Sequence, residues 1–459
     1  MARTTISSPA ALRTDVIARY AIGSLGTGGF STLPGLVLVF YLTDTLGVAA
    51  WAAGVVVTGA KIWDVLAAPV IGGISDNSRQ RTGSRRWLMT LGALALPVFF
   101  VITFAVPAGV APAPAALWVG LAFLLASTAF SLFQVPYIAL PAELSPNYDQ
   151  RTRLLTARVA VLSLAILLFG AGGPMLRGIG DPHTGYLVMA AVAGVVIAIG
   201  MLISATIAPV GAAKPSAPLT SLTAGYREGV AVLRRSAPFR ALLTAFGLQA
   251  VATGLMLAGA NYVAVWVMKS NDALTFLFVA LIAPAILCSP LWNTVARRVG
   301  KERGFAAASV LFAVATGTLV LAVWQPGPWM YVSVALAGAA YAGMQALPMA
   351  MLPDVISHDA ASSPDSSAGV FGGVWTAGET TGMALGAGVL ALILTVTGYI
   401  QTVAGTTVSQ PATAVTGIAL SFSIVDTSGV PLGNGDIPVN LVGEAWVFNA
   451  PVSFTSPAP

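Results

Sequence analysis

Ionisable side chains are scarce in the apolar runs of this chain, so the few that occur there are where chemistry is expected. Lys61 and Asp64 stand three residues apart in one run, which puts them on one face of a helix within pairing reach. A charge held in hydrocarbon is costly unless it pairs or faces water. Asp64 therefore reads either as a carrier, neutralised by a proton or cation during a functional cycle, or as half of a structural ion pair with Lys61. Glu379, in a later run, offers a second carboxyl, open to protonation or to a salt bridge with Lys61. Gln134, Tyr137, Trp375 and Thr376 bring aromatic faces and neutral hydrogen-bonding groups that fit a pocket for a polar solute, and each fits ordinary helix packing as well.

Other chemistries find no support. His183 and His358 fall at opposite ends of the expected topology, so no shared metal is expected, and the single cysteine, Cys288, inside an apolar run, reads as a packing residue. There is no nucleophile triad, phosphate-cradling glycine loop or metal spacing. Neither an enzyme nor a cofactor is expected.

The elements that position these residues follow from composition. Hydrophobic residues make up 56% of the chain and charged residues 8%, too few to solvate a globular surface of this size. Runs long enough to cross a bilayer, about 20 residues as a helix, extend near Ile22 to Tyr41, Trp51 to Ile74, Trp87 to Val106, Ala116 to Leu140, Leu155 to Leu176 and Tyr186 to Ile207. A second series covers Ala241 to Met268, Leu274 to Val295, Phe305 to Val323, Tyr331 to Leu352 and Val370 to Tyr399, with a shorter candidate from Ala412 to Val425. All 22 Lys and Arg precede position 304, and nearly all lie before the first span or in alternate gaps, at Arg79 to Arg86, Arg151 to Arg158, Lys214 to Arg240 and Arg297 to Arg303; the opposite-side loops carry little beyond Arg177 and Lys269. That alternation places the N-terminus and these gaps on the cytoplasmic side of an inner membrane. The net charge of +5 is thus a topology signal and not a nucleic-acid footprint. No removable signal peptide is read at the N-terminus.

The polar stretch 209–239 divides the chain into an N-terminal six-helix bundle, 1–208, and a C-terminal bundle, 240–425, followed by a polar tail, 426–459, read as disordered. Two echoes point to duplication. Pro136 to Pro141, followed by Glu143, is matched by Pro348 to Pro353, followed by Asp354; the basic cluster around Gly83 is matched by the one around Gly300. Paired weak repeats of this kind are what a two-bundle transporter produces.

With Phe40 to Asp44, Lys61 to Asp64 with Pro69, Asp76 to Trp87, Val135 to Tyr137, Arg151 to Arg153 with Arg158, Gln345 to Asp354 and Phe371 to Thr376 in this order, the chain resembles the major facilitator superfamily. More specifically it resembles the glycoside, pentoside and hexuronide cation symporters. The resemblance implies an all-α membrane fold of two six-helix bundles around a central cavity. It implies that Asp64 belongs to a coupling-cation site, that Arg158 contacts solute, and that Asp76 with Arg81, Arg85 and Arg86 forms a gating loop. Three departures accompany it. The family's further oxygen ligands near Asp64 become Ala67 and Ala68, its sugar-gripping carboxylates fall on Gly28 and Gln134, and its lysine in the eleventh span becomes Thr380 beside Glu379. Sodium needs several hard oxygens, whereas a proton needs one tunable carboxylate.

The expected function is alternating-access transport of a sugar-like or other small polar solute, coupled to protons and not to sodium, by a monomer in the bilayer. Export or flipping of an amphipathic molecule, and a truncated, non-transporting membrane protein, remain as alternatives.

Overall fold

A computed structural model of the protein describes residues 12–145, 148–210, 222–270, 272–362, 368–404, 406, 408–423, 440–442 and 445–447. In lipid the backbone must satisfy its own hydrogen bonds, and the apolar runs accordingly form helices: α1 (Thr14–Phe40), α2 (Ala50–Thr82), α3 (Arg86–Phe104), α4 (Pro112–Leu144), α5 (Tyr148–Arg177) and α6 (Pro182–Ala205) in the first half. The second half holds α7 (Leu222–Arg235), α8 (Ala237–Tyr262), α9 (Ala273–Val299), α10 (Lys301–Thr318), α11 (Trp329–Ser362), α12 (Ala368–Val396) and α13 (Ala412–Phe422). Among the described residues 11 helices are long and apolar enough to span a membrane. Large apolar side chains such as Leu287, Leu392 and Val396 stand fully outward, as lipid-facing residues do.

Three expectations change in detail. The last candidate span is a helix of 11 residues, too short to cross. The stretch 209–239 is not a plain linker: its described part forms α7, whose Val232 is buried against Phe239, Phe246, Phe371 and Trp375, the apolar residues of α7 being spaced for a helix face. Most of the tail lies outside the described residues, and its described part is a short antiparallel pair, β1 (Asn440–Val442) with β2 (Ala445–Val447), registered Leu441 to Trp446.

The chain forms two compact units, one of Met1–Pro34 with Trp63–Leu219, the other of Gly35–Ile62 with Thr220–Pro459. The first unit closes on aromatic packing, with Phe30 in contact with Phe100, Phe123 and Phe130, and on a close approach of α3 to α4, where a Cβ at Gly92 would lie 2.6 Å from the Ala129 carbonyl. In the second unit α8 and α12 run side by side in the same direction, Gly378 meeting Leu243, Gly382 meeting Ala250 and Gly386 meeting Val251. The hairpin 35–62 falls in the second unit because Gly35 seats Leu257, Gly54 seats Ala391, and the Thr58 hydroxyl donates to the Ala384 carbonyl at 3.2 Å.

Duplication is visible in the backbone. α1 and α8, the first spans of the two halves, each end in a five-residue π turn, Tyr41–Thr45 and Val263–Val267. Leu46 N–H returns to Tyr41 and Val48 N–H to Leu42, just as Met268 returns to Val263 and Ser270 to Ala264. The second residue past each turn is left-handed, Gly47 at φ 67° and Lys269 at φ 53°. Gly83 and Gly300, the centres of the two basic clusters, also share positive φ, 70° and 93°, a conformation that glycine adopts without strain.

Candidate functional site

Asp64 lies midway along α2, with Ser131 of α4 donating its hydroxyl to Oδ1. One turn earlier on α4, Thr128 accepts from Trp63 Nε1 at 2.9 Å, so consecutive residues of α2 are fixed by hydroxyls one turn apart on α4. The Ser131 hydroxyl is a neutral donor, so this contact brings no opposite charge to Asp64. Ala67 and Ala68 bring no side-chain oxygen to the helix one turn further on.

A second cluster joins α1, α4 and α5. Tyr137 is fully buried, stacks on Tyr20 at 4.8 Å and on Phe133 at 5.1 Å, and donates its hydroxyl to the Tyr20 carbonyl at 2.8 Å with Ser24 Oγ at 3.1 Å. The Arg158 guanidinium lies over the Tyr137 ring, 5.4 Å from its centroid, a cation–π arrangement. Arg158 Nε, Gln134 Oε1, Tyr20 Oη and Ser204 Oγ are buried with no partner in the protein. Buried polar atoms are nearly always satisfied, so four orphans around one tyrosine mark a place for water or a polar ligand. Gly28, two turns beyond Tyr20, packs on α5: a Cβ there would lie 2.8 Å from the Ala165 side chain, which leaves no room for a side chain of any kind without movement.

In the second unit Glu379 is half-buried on α12 and interacts electrostatically with Tyr341 of α11, whose hydroxyl accepts from Gln345 Nε2 at 2.6 Å. None of the ion pairs of the described residues includes Glu379. Trp375, one turn earlier, is buried and stacks on Phe246 at 4.2 Å, its Nε1 unpartnered. Thr376 is exposed and bonds back to the Gly372 carbonyl at 3.1 Å; Thr380 is half-buried. Gln249 and Asn261 on α8 are buried amides with neither end partnered. A scan for charge passes over such residues; an amide inside an apolar run is the sequence signal that finds them.

The basic clusters find acidic partners. Glu143 accepts from both Arg79 and Arg85, the latter at 2.7 Å, and Arg85 also donates to Ser75 at 2.7 Å. Arg81 and Arg86 are exposed, and the side chain of Asp76 lies outside the described residues. In the second half Lys301 pairs with Asp354 at 2.5 Å and Arg235 with Asp359 at 2.7 Å. Glu143 and Asp354 are the acids that follow the repeated proline segments, and each is bound by a base from the cluster of its own half. His183 has a structural place: its N–H and that of Thr184 donate to Asp181 at the start of α6.

Known proteins agree with this architecture. The sequence profile described as MFS/sugar transport protein matches residues 19–427. The glucuronide carrier protein homolog of Escherichia coli is 23% identical over 89% of this chain and 88% of that protein, and the sphingosine-1-phosphate transporter of Mus musculus is 24% identical over 73% and 71%. An uncharacterized symporter of Synechocystis is 32% identical, over 34% of this chain and only 30% of its own length. Among solved structures, the nucleoside transporter NupG superposes with a TM-score of 0.65 at 14% identity, covering 90% of this chain and 96% of that one, and the D-xylose-proton symporter with 0.64 at 14%, covering 90% and 98%. These are transporters and not enzymes. With eleven apolar spans, a duplicated helical architecture and a family match over most of its length, the chain belongs to the MFS/sugar transport protein family, in the glycoside–cation symporter group of the major facilitator superfamily.

Proposed function

We propose that this protein moves a sugar-like or other small polar solute across the cytoplasmic membrane by alternating access, with its N-terminus inside, and that it is driven by protons. The observation that carries the reading is Asp64, an acid in mid-span held by one neutral hydroxyl, Ser131. Protonation needs this one carboxyl, whereas sodium would need several oxygens, and the next turn supplies Ala67 and Ala68. The solute's polar groups would meet the orphaned atoms around Tyr137, Arg158 and Gln134, in which a guanidinium and a neutral amide take the place of carboxylates. A relative named a glucuronide carrier homolog favours a solute that bears an acid group, which Arg158 can grip through its N–H donors.

A second reading has its own support. Two relatives from Mus musculus are named for amphipathic lipids, one a sphingosine-1-phosphate transporter and one a sodium-dependent lysophosphatidylcholine symporter. Uptake into proteoliposomes decides between them. Under a proton gradient at fixed sodium, labelled glucuronide or xyloside should accumulate, and lysolipid should neither accumulate nor compete. Accumulation that follows an imposed sodium gradient at constant pH would overturn the proton reading, and accumulation of lysolipid alone would replace the solute.

A further inference from the structure

The hairpin 35–62 belongs to the second compact unit although the chain on both sides of it belongs to the first. A hydrogen-bond system at the tip of the hairpin, which the chemistry at Asp64 does not use, secures it there. Asp44 is its centre. Oδ1 accepts from the Tyr399 hydroxyl at 2.5 Å and Oδ2 from the Thr43 hydroxyl at 2.6 Å, while Trp266 Nε1 donates to the Tyr399 oxygen at 2.8 Å. Because Thr43 gives its only hydroxyl proton to Asp44, the 2.6 Å contact between Thr43 and Tyr262 must be donated by Tyr262.

The backbone joins in. The π turn Tyr41–Thr45 ends α1, and carbonyls at a helix end need outside donors. The segment after α12 provides them: Thr402 N–H reaches Thr43 O at 3.0 Å, Ala404 N–H reaches Thr45 O at 3.1 Å, and the Thr402 hydroxyl reaches Asp44 O at 3.1 Å. Leu46 and Val403 thereby form an antiparallel bridge. Along the rest of the hairpin, Gly35 and Gly54 receive Leu257 and Ala391, Phe40 meets the Tyr262 ring edge-on at 5.0 Å, and the Thr58 hydroxyl bonds the Ala384 carbonyl. The tip is thus fastened by a connected set of hydrogen bonds, each of modest net strength and each able to be exchanged for another partner.

We propose that the chain Asp44, Tyr399 and Trp266 is a latch, fastening the α1–α2 hairpin to the second unit in this conformation and releasing it in another. The latch extends the transport reading, in which its release would be one step of the cycle.

The test needs no solute. In full-length protein in nanodiscs, with Cys288→Ser, the wholly buried Ala53 on the hairpin is replaced as Ala53→Cys, and the rate of its alkylation by a charged maleimide is followed by mass spectrometry. Tyr399→Phe removes the hydroxyl that joins Asp44 Oδ1 to Trp266 Nε1 in the closed state, and should raise that rate about tenfold. Thr402→Val should raise it less. Residues paired across an antiparallel bridge are within disulfide reach, so a Leu46→Cys, Val403→Cys cross-link should suppress alkylation at position 53. Unchanged rates in Tyr399→Phe protein with a normal melting curve overturn the latch. Should that variant not fold, equal rates with the cross-link formed and reduced overturn it instead. Failure of the latch leaves gradient-driven uptake intact, whereas failure of the transport reading leaves the alkylation response.

Discussion

The two compact units weight polarity differently. In the first, the connected polar groups within the spans bring charge with them: Ser131 on Asp64, Arg158 over Tyr137, Ser24 and Tyr20 around the same ring. In the second, glycines line the middle of the α8–α12 contact, the polar bond within the spans is the neutral pair Gln345 and Tyr341 near Glu379, and the larger linked networks lie toward the helix ends, around Asp44 and Tyr399 and in Arg235–Asp359 and Lys301–Asp354. Chemistry inside the membrane requires groups that can exchange protons or hydrogen bonds with a passenger. Conformational control requires contacts near water, where they can be broken and remade. The proposed mechanism accordingly assigns the coupling to the first unit and the latch to the second.

The sharpest way to break that division is to remove each intramembrane acid in turn. Asp64→Asn retains the shape and the contact with Ser131 but cannot carry a proton. Proton-driven uptake in proteoliposomes should fall on the order of 100-fold, the range by which a positioned proton-transfer group contributes, while the protein still folds and inserts. Glu379→Gln should cost less than about tenfold, since Glu379 forms none of the described ion pairs and lies beside neutral Tyr341 and Gln345. If Glu379→Gln is the dead variant and Asp64→Asn transports at every pH, the coupling belongs to the second unit.

The ion pairs sharpen the comparison through stability. Glu143 is bound by Arg85, and the side chains of both are at most 10% exposed. Glu143→Gln would leave the Arg85 cation buried and uncompensated, at a cost of about 3 kcal/mol, seen as a lower melting temperature in detergent. Its counterpart in the second half, Lys301–Asp354, is exposed on both sides. Asp354→Asn should cost under about 1 kcal/mol, the range for exposed pairs. Equal losses in the two variants would mean that the duplicated sites are also energetically equivalent.

Much of this was readable from the chain because membrane insertion imposes simple rules. Runs of apolar residues and the alternation of Lys and Arg located the helices, and the echoes at Pro136 to Pro141 and Pro348 to Pro353 marked the repeat that the paired π turns display in the backbone. Partner identity was not readable. Lys61 is the neighbour of Asp64 in sequence, but the hydroxyl that binds it comes from a helix 67 residues away. Asp44 is recognisable as part of a motif, while its partner Tyr399 lies 355 residues further on. The membership of residues 35–62 in the second unit was equally hidden, because it arises from glycine seats and backbone hydrogen bonds that carry no compositional mark.

The smallest effect concerns a site outside the spans, and separates fold from function. Asp181 caps α6, accepting from the backbone N–H groups of His183 and Thr184 at 3.1 and 3.2 Å. Hydrogen bonding from Thr184, side chain first and then backbone, holds its carboxyl below the ordinary value of 3.8. A carboxylate whose folded pKa is depressed adds stability that is fully present above its unfolded pKa and is lost as pH falls through the folded one. Asp181→Ala should therefore lower the melting temperature slightly at neutral pH, and the gap from the parent protein should close in acid as pH falls through the folded pKa and the cap of the parent is itself protonated. Uptake per folded molecule should not change, because the cap touches neither the cluster around Tyr137 nor Asp64. A melting difference that persists unchanged in acid would assign the loss to packing at the start of α6, and a change in uptake would show that this end of the first unit takes part in the cycle.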